Sequence, residues 1–169
     1  MCSSDLARKR RKKVTAVHKA NVFHISDGLF LREVRKVAKE YPDVELDEKI
    51  VDAMAALLVR HPDKFDCIVT GNMFGDILSD EASEISGGLG LAGSTMAGDD
   101  ACCAQAQHGS APDIAGQDKA NPVSLLLSAA MLFEWLGIRH KRPEFDAAAH
   151  AIEAAIRSEE HTSELQSLA

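Results

Sequence analysis

The amino-acid sequence predicts an α/β or α+β fold rather than a bundle of helices. Short β-prone segments alternate along the chain with segments that have helical periodicity. Of the 169 residues, 46% are hydrophobic and 27% are charged, which is typical of a globular protein. The sequence contains no internal repeat, and its length allows one or two domains.

The first part of the chain predicts a strand followed by an amphipathic helix. The segment KVTAVH (13–18) is mostly β-prone. Residues 29–41 have helical periodicity, and Pro42 is expected to end this helix because proline cannot continue it. The apolar residues on the stripe of this helix are Phe30, Val34, Val37 and Tyr41.

Two further pairs of strand and helix follow. VELD (44–47) predicts a short strand, and residues 47–61 predict a helix. CIVT (67–70), with Phe65 just ahead, predicts a short buried strand. The next helix is expected to begin near Asp76. The inward face of the helix 47–61 is expected to carry Ile50, Met54, Leu57 and Leu58.

The last part of the chain predicts a glycine-rich connection and two helices. Residues 121–137 are apolar nearly all round, so a buried helix is expected. Asn121 is expected as its N-cap, Pro122 as its first residue and Gly137 as its end. Residues 143–156 predict a last amphipathic helix. Its apolar side is expected to consist of Phe145, Ala149, Ile152 and Ile156.

Asp76 and Asp80, in the segment GNMFGDILSD (71–80), are the first candidates for a functional site. Residues four apart in a helix lie on one face, so both carboxylates point the same way just past the end of a strand. In open α/β sheets, ligands bind at the carboxyl ends of the strands. Acidic residues also suit the positive end of a helix. This segment alone therefore leaves a ligand site and a simple helix start equally open.

The net charge of −7 argues against binding to nucleic acid. The basic run RKRRKK (8–13) is the exception to the acidic composition. Such a run is typical of the solvated end of a helix, and a nucleic-acid patch is the alternative.

We expect neither a membrane span nor a signal peptide. No apolar run approaches the ~20 residues that cross a membrane, and the chain does not open with a signal sequence. The four cysteines form no CxxC pair and are too few for a disulfide scaffold. A reducing, cytoplasmic setting is therefore expected.

The two ends of the chain do not resemble natural protein sequence. RSEEHTSELQS (157–167) resembles the translation of a common sequencing-library adapter, and CSSDL (2–6) resembles the same adapter read on its reverse strand. Both segments are polar and aperiodic, and a disordered tail at each end is the alternative. We expect 1–6 and 157–169 to be adapter-like scars, and 7–156 to be the interior of a longer protein.

Two glycine-containing segments are candidates for a nucleotide site. GLGLAG (88–93) matches G-x-G-x-x-G, but it follows a predicted helix and leads into a loop. The dinucleotide fingerprint requires a strand before it and a helix after it, so these glycines are expected to serve turns. HGSAPDIAGQDKANP (108–122) is a loop that ends at a helix start, where backbone N–H groups can bind a phosphate. Its Asp113 is either an acceptor for ribose hydroxyls or a turn residue after Pro112.

Lys19 and Asn21, in HKAN (18–21), lie at the end of the first predicted strand. A lone lysine usually faces solvent. Beside a metal-bound hydroxyl, whose pKa the cation lowers, a positioned lysine amine can move the proton. Lys19 is therefore a candidate only if a metal site lies close by.

Three segments resemble a known family. ARKRRKKVTAVHKANV, IVDAMAALLVRHPDKFDCIVTGNMFGDILSD and HGSAPDIAGQDKANP together resemble the β-decarboxylating dehydrogenases. That family includes isopropylmalate, isocitrate, homoisocitrate and tartrate/malate dehydrogenases. The resemblance covers essentially all of 7–156. It implies part of an isocitrate/isopropylmalate dehydrogenase-like α/β fold, with 7–87 as the small dimer-forming domain and 88–156 as part of the large cofactor-binding domain.

The resemblance implies oxidation of a small-molecule 2-hydroxy acid by a nicotinamide cofactor with a divalent metal, followed by loss of the β-carboxylate as carbon dioxide. Asp76 and Asp80 match two ligands for Mg²⁺ or Mn²⁺. Asp52 matches a third ligand, which the neighbouring subunit of a homodimer supplies. Lys19 matches the catalytic lysine, also donated across the dimer, and Asn21 matches a residue near the nicotinamide.

The resemblance also implies a cofactor-binding loop. Its residues are His108, Gly109, Ala111, Asp113, Ile114 and Asn121. Asp113 followed by Ile114 resembles the version that prefers NAD. Relatives often read FEPVHG where this chain has AQAQHG, so Gln105 stands in place of a glutamate near the cofactor and Ala106 in place of a proline.

The substrate implied first is 3-isopropylmalate, with isocitrate, homoisocitrate and tartrate/malate as alternatives. HKANVFHISDGLF is more similar to isocitrate-type relatives, whereas VDAMAALLVRHPDKFD is more similar to the isopropylmalate type. In the family, the substrate-reading arginines and the tyrosine that protonates the enol lie upstream, and Tyr41 is no substitute. The 169-residue chain is therefore expected to be inactive alone. A nucleic-acid-binding protein and an inactive, truncated, dimerising fragment are the other classes considered.

Overall fold

The structure is a computed structural model that describes residues 3–159, without the side chains of residues 3–5, 89 and 159. The chain divides into two compact units between Ile85 and Ser86, close to the boundary predicted after residue 87. The identification of these units with a small and a large domain stays a prediction. Residues 1–2 and 160–169, most of the adapter-like ends, lie outside the described residues.

The first unit contains three strands and four helices within the described residues. They are α1 (Ser3–Arg8), β1 (Lys13–His18), α2 (Ser26–Ala38), β2 (Glu45–Ile50), α3 (Val51–Arg60), β3 (Cys67–Thr70) and α4 (Asn72–Ile85). Residues 3–6 lie in α1, and the interpretation of residues 1–6 as an adapter-like scar stays a prediction.

The three strands form a parallel sheet in the order β2, β1, β3. The central strand β1 is buried from Val14 to Val17 because it has a neighbour on each side and helices on both faces. Val17 packs with Met54 and Leu78, from α3 and α4. Val14 faces the other way, towards a cleft of about 230 Å³ whose wall includes Val34 of α2. The helices that follow β1 and β3 therefore lie on opposite faces of the sheet.

The bounds of α2 differ from those predicted. The helix begins at Ser26, three residues before the predicted start, and ends at Ala38. Tyr41 lies beyond the helix, yet its side chain lines the same cleft as Phe30, Val34 and Val37, so the predicted apolar stripe is found.

The boundary between β2 and α3 was predicted incorrectly. The helix was expected from residue 47, with Ile50 on its inner face, but β2 continues to Ile50 and α3 begins at Val51. Residues 45–50 pair in parallel with β1, and their charged side chains find partners at this edge of the sheet. Arg35 binds Glu48 through two hydrogen bonds of 2.7 Å, and Lys49 binds Asp47 at 2.6 Å.

The second unit contains a β-hairpin that the sequence did not predict. The strands and α-helices of this unit are β4 (Gly93–Ala97), β5 (Cys102–Ala106), α5 (Val123–His140) and α6 (Pro143–Glu159). The strands β4 and β5 are antiparallel and consist mostly of small residues, which show no alternation of apolar and polar side chains. A Cβ at Gly93 would lie only 3.1 Å from Leu127 Cβ, so glycine lets α5 approach the hairpin.

Two buried serines join α5 to the hairpin. Ser128 Oγ accepts a hydrogen bond from Ser94 N–H at 2.9 Å and lies 2.7 Å from the Gln105 carbonyl oxygen. Ser124 Oγ accepts from Gln107 N–H at 3.2 Å and donates to the Ala92 carbonyl. These contacts explain polar residues on a face that packs against strands.

The predictions for α5 were partly wrong. The N-cap is Pro122 and not Asn121, and Gly137 lies inside the helix. Asn121 still contacts the start of the helix, because its Oδ1 accepts the N–H of Val123 at 2.9 Å. The helix is also not buried all round. Its exposed apolar residues include Leu125, Leu126, Met131 and Ile138.

Among the described helices, α5 is long and apolar enough to cross a membrane by length and composition alone, with 18 residues and a mean hydropathy of 1.2. Here it packs against β4, β5 and α6, as core helices do. The absence of a membrane segment in the protein stays a prediction.

The predicted apolar face of α6 is confirmed, because Ala149 and Ile156 are buried and the Phe145 ring stacks on Phe133 at 6.0 Å. The helix continues to Glu159, through residues predicted to be aperiodic.

Candidate functional site

The parallel sheet places the ends of its strands at one edge. Lys19 follows β1, Asp52 lies in the first turn of α3 directly after β2, and Gly71 follows β3. The chain leaves β1 and β3 towards opposite faces of the sheet, and this divergence opens a crevice in which α/β proteins bind ligands. The candidate residues of the first unit are therefore at the edge where a ligand site is expected.

Lys19 and Asp52 are in direct contact. Lys19 Nζ donates a hydrogen bond to Asp52 Oδ1 at 2.5 Å, and the lysine side chain is 24% exposed against 68% for the aspartate. The Lys19 hydrogen bond, together with a backbone hydrogen bond, holds the pKa of the Asp52 carboxyl below its usual value. The structure thus brings together the candidate catalytic lysine and one candidate metal ligand of the same chain.

Asp76 and Asp80 are exposed on α4, one helical turn apart. Because α4 begins at Asn72, neither carboxylate lies in the first turn, where the helix dipole acts. The helix-start explanation for this pair is therefore wrong. Two carboxylates on one helical face are the oxygen donors that Mg²⁺ or Mn²⁺ prefers.

Within residues 3–159, no group of three or more His, Cys, Asp or Glu side chains is placed to hold a metal ion. Asp52 is therefore not brought to Asp76 and Asp80 inside a single chain. The resemblance implies that the third carboxylate comes from a neighbouring subunit, and this stays a prediction.

A cleft of about 260 Å³ lies at the same edge of the sheet. Its lining residues are Phe23, Ser26, Asp27, Gly71, Asn72, Met73 and Phe74. Sequence reasoning named none of them as site residues, although they flank the HKAN and GDILSD segments. Asp27 also accepts the backbone N–H of Lys19 at 2.6 Å. A hydrogen bond between two residues of a loop leaves no periodic pattern in the sequence. Only the position of Asp27 close to the HKAN segment could have suggested its contact with Lys19.

In the second unit, the loop after β5 encloses a cavity of about 420 Å³. Four of the predicted cofactor residues line this cavity, namely His108, Gly109, Ala111 and Ile114. The other lining residues are Ser110, Ala115, Gly116, Asp118 and Ala120. Asp113 is exposed in a short 3-10 turn, Pro112–Ile114, and Asn121 Oδ1 accepts the N–H of Val123 at the start of α5. Asn21 belongs to the first unit and is exposed in the turn after β1.

The segment GLGLAG does not have the context of a dinucleotide fingerprint. It follows α4, contains a 3-10 turn, Leu89–Leu91, and leads into β4. The interpretation of these glycines as turn residues holds for Gly88, which has a positive φ, and for Gly90, which lies in the 3-10 turn. It is wrong for Gly93, which is the first residue of β4.

Most of the basic run 8–13 is engaged in ion pairs. Arg8 and Lys12 pair with Asp43, Arg11 with Asp66, and Lys13 with Glu45. Arg11 also donates to the carbonyl oxygens of Asp63 and Phe65. The run ties α1 and the start of β1 to neighbouring loops, which is a structural role and leaves fewer cations for nucleic acid.

Comparison with known proteins identifies similar chains. The family model described as isocitrate/isopropylmalate dehydrogenase matches residues 1–169. Homoisocitrate dehydrogenase of Methanocaldococcus jannaschii is 54% identical over 134 residues, which cover 79% of this chain and 38% of that protein. 3-Isopropylmalate dehydrogenase of Corynebacterium glutamicum is 52% identical over 136 residues, which cover 79% of this chain and 40% of that protein.

A solved structure is also similar to this chain. The crystal structure of isocitrate dehydrogenase from Methylococcus capsulatus superposes with a TM-score of 0.84 at 48% identity. The match covers 92% of this chain and 44% of that chain. This chain therefore spans about two fifths of the length of the proteins it matches.

Proposed function

Because the chain belongs to the isocitrate/isopropylmalate dehydrogenase family, we propose that it forms part of an enzyme that oxidises and decarboxylates a 2-hydroxy acid with NAD and Mg²⁺ or Mn²⁺. The activity belongs to a full-length protein, because the resemblance assigns substrate recognition to residues upstream of those in this chain. The 169-residue chain is expected to be inactive alone.

We propose 3-isopropylmalate as the substrate, with isocitrate, homoisocitrate and tartrate/malate as alternatives. The names of similar proteins include a 3-isopropylmalate, a homoisocitrate and an isocitrate dehydrogenase. Identities of 48–54% support the shared chemistry and do not distinguish between these substrates.

The observation that carries the proposal is the hydrogen bond between Lys19 Nζ and Asp52 Oδ1 at the carboxyl ends of β1 and β2. A half-buried lysine side chain with an exposed carboxylate partner presents a proton-transfer group and an oxygen ligand side by side. Asp76 and Asp80 offer two further oxygen ligands on a separate helix of the same unit.

Asp76 and Asp80 would hold the metal ion together with Asp52 of the partner subunit. When bound, the ion would supply Lewis-acid polarisation of the substrate oxygen. Lys19 Nζ is proposed to move the proton of the substrate hydroxyl as hydride leaves for the cofactor. The Asp52 carboxylate accepts a hydrogen bond from this amine at 2.5 Å.

The loop 108–121 is proposed to bind NAD. A Cβ added at Gly109 would meet no described atom within 4 Å, so packing inside the unit does not explain this glycine and the space suits a ligand. The exposed carboxylate of Asp113 can accept hydrogen bonds from ribose hydroxyls, and a 2′-phosphate there would be repelled. Asn121 joins this loop to the start of α5 through its hydrogen bond with the N–H of Val123.

A homodimer with shared active sites is proposed from the surface of α4. Met73 and Ile77 are 60% and 59% exposed, and they alternate with the two carboxylates at the spacing i, i+3, i+4, i+7. The apolar pair and Asp76 and Asp80 therefore share one broad face of the helix. A second subunit that covers Met73 and Ile77 would reach both carboxylates.

We also propose a cytoplasmic location and no binding to nucleic acid or membranes. Cys67, Cys102 and Cys103, the cysteines in the described part of the chain, are free thiols. The ion pairs of the basic run support the second part of this proposal.

The proposed metal site is tested with Asp80→Asn in the full-length protein that contains residues 7–156. We expect turnover of 3-isopropylmalate with NAD and Mn²⁺ to fall by more than ~100-fold, because loss of a group that merely supports a metal ligand already costs ~10–100-fold. The measurement is formation of the reduced cofactor at saturating substrate and increasing Mn²⁺.

Asp63→Asn is the matched control, since it makes the same charge change at an exposed position outside the site. It should leave turnover unchanged. Full turnover by Asp80→Asn at saturating substrate would refute the assignment of Asp80, and equal kcat/KM for all four substrates would refute the choice of 3-isopropylmalate.

A further inference from the structure

We infer that Asp27 is a positioning residue for Lys19, holding the backbone of that lysine at the orientation its proposed proton transfer requires. The inference rests on the proposed function. Asp27 lies in the first turn of α2, eight residues after Lys19, and is only partly exposed.

The backbone of Lys19 is fixed on both sides of its Cα atom. Its N–H donates to Asp27 Oδ2 at 2.6 Å, and its carbonyl oxygen accepts the N–H groups of Val22 at 2.9 Å and Phe23 at 2.8 Å. The direction of the Cα–Cβ bond is therefore set, and only side-chain torsions remain for the amine to reach Asp52.

The loop that contains these bonds closes on itself. Phe23 donates to the Lys19 carbonyl, and the Phe23 carbonyl in turn accepts the N–H of Asp27 at 3.0 Å. Ser26 Oγ lies 3.4 Å from Asp27 Oδ1. Lys19, Phe23 and Asp27 thus form a continuous ring of hydrogen bonds between the end of β1 and the start of α2.

The helix that carries Asp27 is itself held against the sheet. Leu31 of α2 is buried, and Arg35 makes two hydrogen bonds of 2.7 Å to Glu48 of β2. Asp27 therefore links the backbone of Lys19 to a helix that is fixed against the sheet. The negative charge of Asp27 also suits the positive end of α2, which favours its place in the first turn.

The contact with Asp52 alone would hold the lysine weakly. Asp52 is 68% exposed, and an ion pair at such a surface position contributes little to orientation. A lysine also has many rotamers. An accurate position of the amine therefore depends on a fixed backbone, and misplacement of a reacting group by about 1 Å can cost ~100-fold in rate.

The first test is hydrogen exchange of backbone amides in the 169-residue chain, which needs no activity. In Asp27→Ala we expect the Lys19 amide to exchange at least ~10-fold faster than in the wild type, because its acceptor is removed. The Val17 amide, inside β1, serves as an internal reference and should be unchanged. Asp27→Asn keeps an acceptor oxygen, and it should restore exchange to within about threefold.

The second test is steady-state kinetics in the full-length protein. Asp27→Ala should lower kcat by ~10–100-fold with KM for the hydroxy acid changed less than about twofold, since the substituted group positions a reacting residue. Asp27→Asn should recover most of kcat, and Asp63→Ala is the control that should match the wild type. A merely structural role would lower the amount of folded enzyme and leave kcat per folded active site unchanged.

The outcomes separate this inference from the proposed function. If Lys19→Met abolishes turnover while Asp27→Ala has wild-type kcat and Lys19 exchange, the positioning role is wrong and the proposed function stands. If Lys19→Met has wild-type turnover, the proposed function is wrong. Should Asp27→Ala lose helix content, Asp27→Ser keeps a helix-start residue too short to reach Lys19, and unchanged Lys19 exchange in it would overturn the inference.

Discussion

At the scale of single residues, two threonines of the parallel sheet differ in whether their hydroxyl group has a hydrogen-bond partner. Thr15 of β1 is fully buried, and its Oγ1 has no hydrogen-bond partner within the described part of the chain. Thr70 of β3 donates from its Oγ1 to the Val17 carbonyl at 2.8 Å. A buried polar atom without a partner destabilises the fold, whereas a satisfied one contributes to stability.

We predict that Thr15→Val stabilises the chain. Valine has nearly the same shape, so the substitution removes an unsatisfied hydroxyl without leaving a cavity. The free energy of unfolding should rise by about 1 kcal/mol, measured by urea denaturation. Thr70→Val is the matched control and should lower it by ~1 kcal/mol, because it removes the hydrogen bond from the Thr70 hydroxyl to the Val17 carbonyl. Equal effects of both variants would contradict this account.

The sequence could identify residues that belong to a recognisable segment but not those that act through the fold. Lys19, Asp52 and Asp76 were named from motifs, and the structure adds the contact between the first two. Asp27 was not named, because its hydrogen bond to Lys19 depends on how the turn after β1 meets the start of α2. Periodicity carries no information about such a contact.

At the scale of secondary-structure elements, Gly137 explains how α5 and α6 pack. A Cβ at this position would overlap the carboxylate of Asp146 in α6. Gly137 is buried in the last turn of α5, which ends at His140. Lys141 follows as the C-cap, with a positive φ of 53°. The glycine therefore permits a close approach of two helices and does not end the first one.

We predict that Gly137→Ala destabilises the second unit. The added methyl group forces Asp146 or the helix to move, at a cost of ~1–3 kcal/mol despite the higher helix propensity of alanine. The measurement is thermal unfolding followed by circular dichroism. The double variant Gly137→Ala with Asp146→Ala should recover stability relative to Gly137→Ala. If it does not, overlap with Asp146 is not the cause.

The edge strand β2 is held to α2 by Arg35 and Glu48. The Arg35 hydrogen bonds lower the pKa of the Glu48 carboxyl below its usual 4.5, with burial acting in the opposite direction. Since the folded-state pKa is lowered, the unfolded state binds more protons as the pH falls. The stability from this pair is therefore present above about pH 4.5 and is lost as the pH falls through the folded-state pKa.

We predict that Glu48→Gln is less stable than the wild type by ~0.2–1 kcal/mol at pH 7, and that this difference disappears at low pH. The measurement is urea unfolding of both proteins from pH 7 to pH 3. Glu40→Gln, at an exposed position after α2, is the control and should differ from the wild type by a constant amount. A difference that grows at low pH would show that Arg35 does not stabilise the charged form.

The elements were predicted well where hydrophobic periodicity was strong and poorly elsewhere. The strands β1 and β3 and the helix α6 were located from their apolar patterns. Most of β2 is charged, so its second half was taken for helix until the pairing with β1 was known. The hairpin of β4 and β5 was missed because small residues such as Gly93 carry no alternation.

At the scale of the whole molecule, the site residues divide into two sets. Lys19 and Asp52 touch each other, and Asp76 and Asp80 share a different helix. The described residues of one chain do not assemble a metal cluster from them. In the proposed dimer, each active site therefore combines the first set of one subunit with the second set of its partner.

The contact between Lys19 and Asp52 has a genetic consequence. Two inactive alleles of the full-length gene, Lys19→Met and Asp80→Asn, should complement each other when they are co-expressed. In a mixed dimer both defects fall in one active site and leave the other site intact, so up to about half of wild-type turnover per mixed dimer should return. Purified mixed dimers carrying two different affinity tags would give this measurement.

Lys19→Met with Asp52→Asn should not complement, because each mixed dimer then has one defect in each site. Recovery of activity by this second pair would show that the two residues serve different active sites. Alleles of the enzyme should therefore sort into two complementation groups. Lys19 and Asp52 fall in the same group because their hydrogen bond at the end of β1 places them in the same active site.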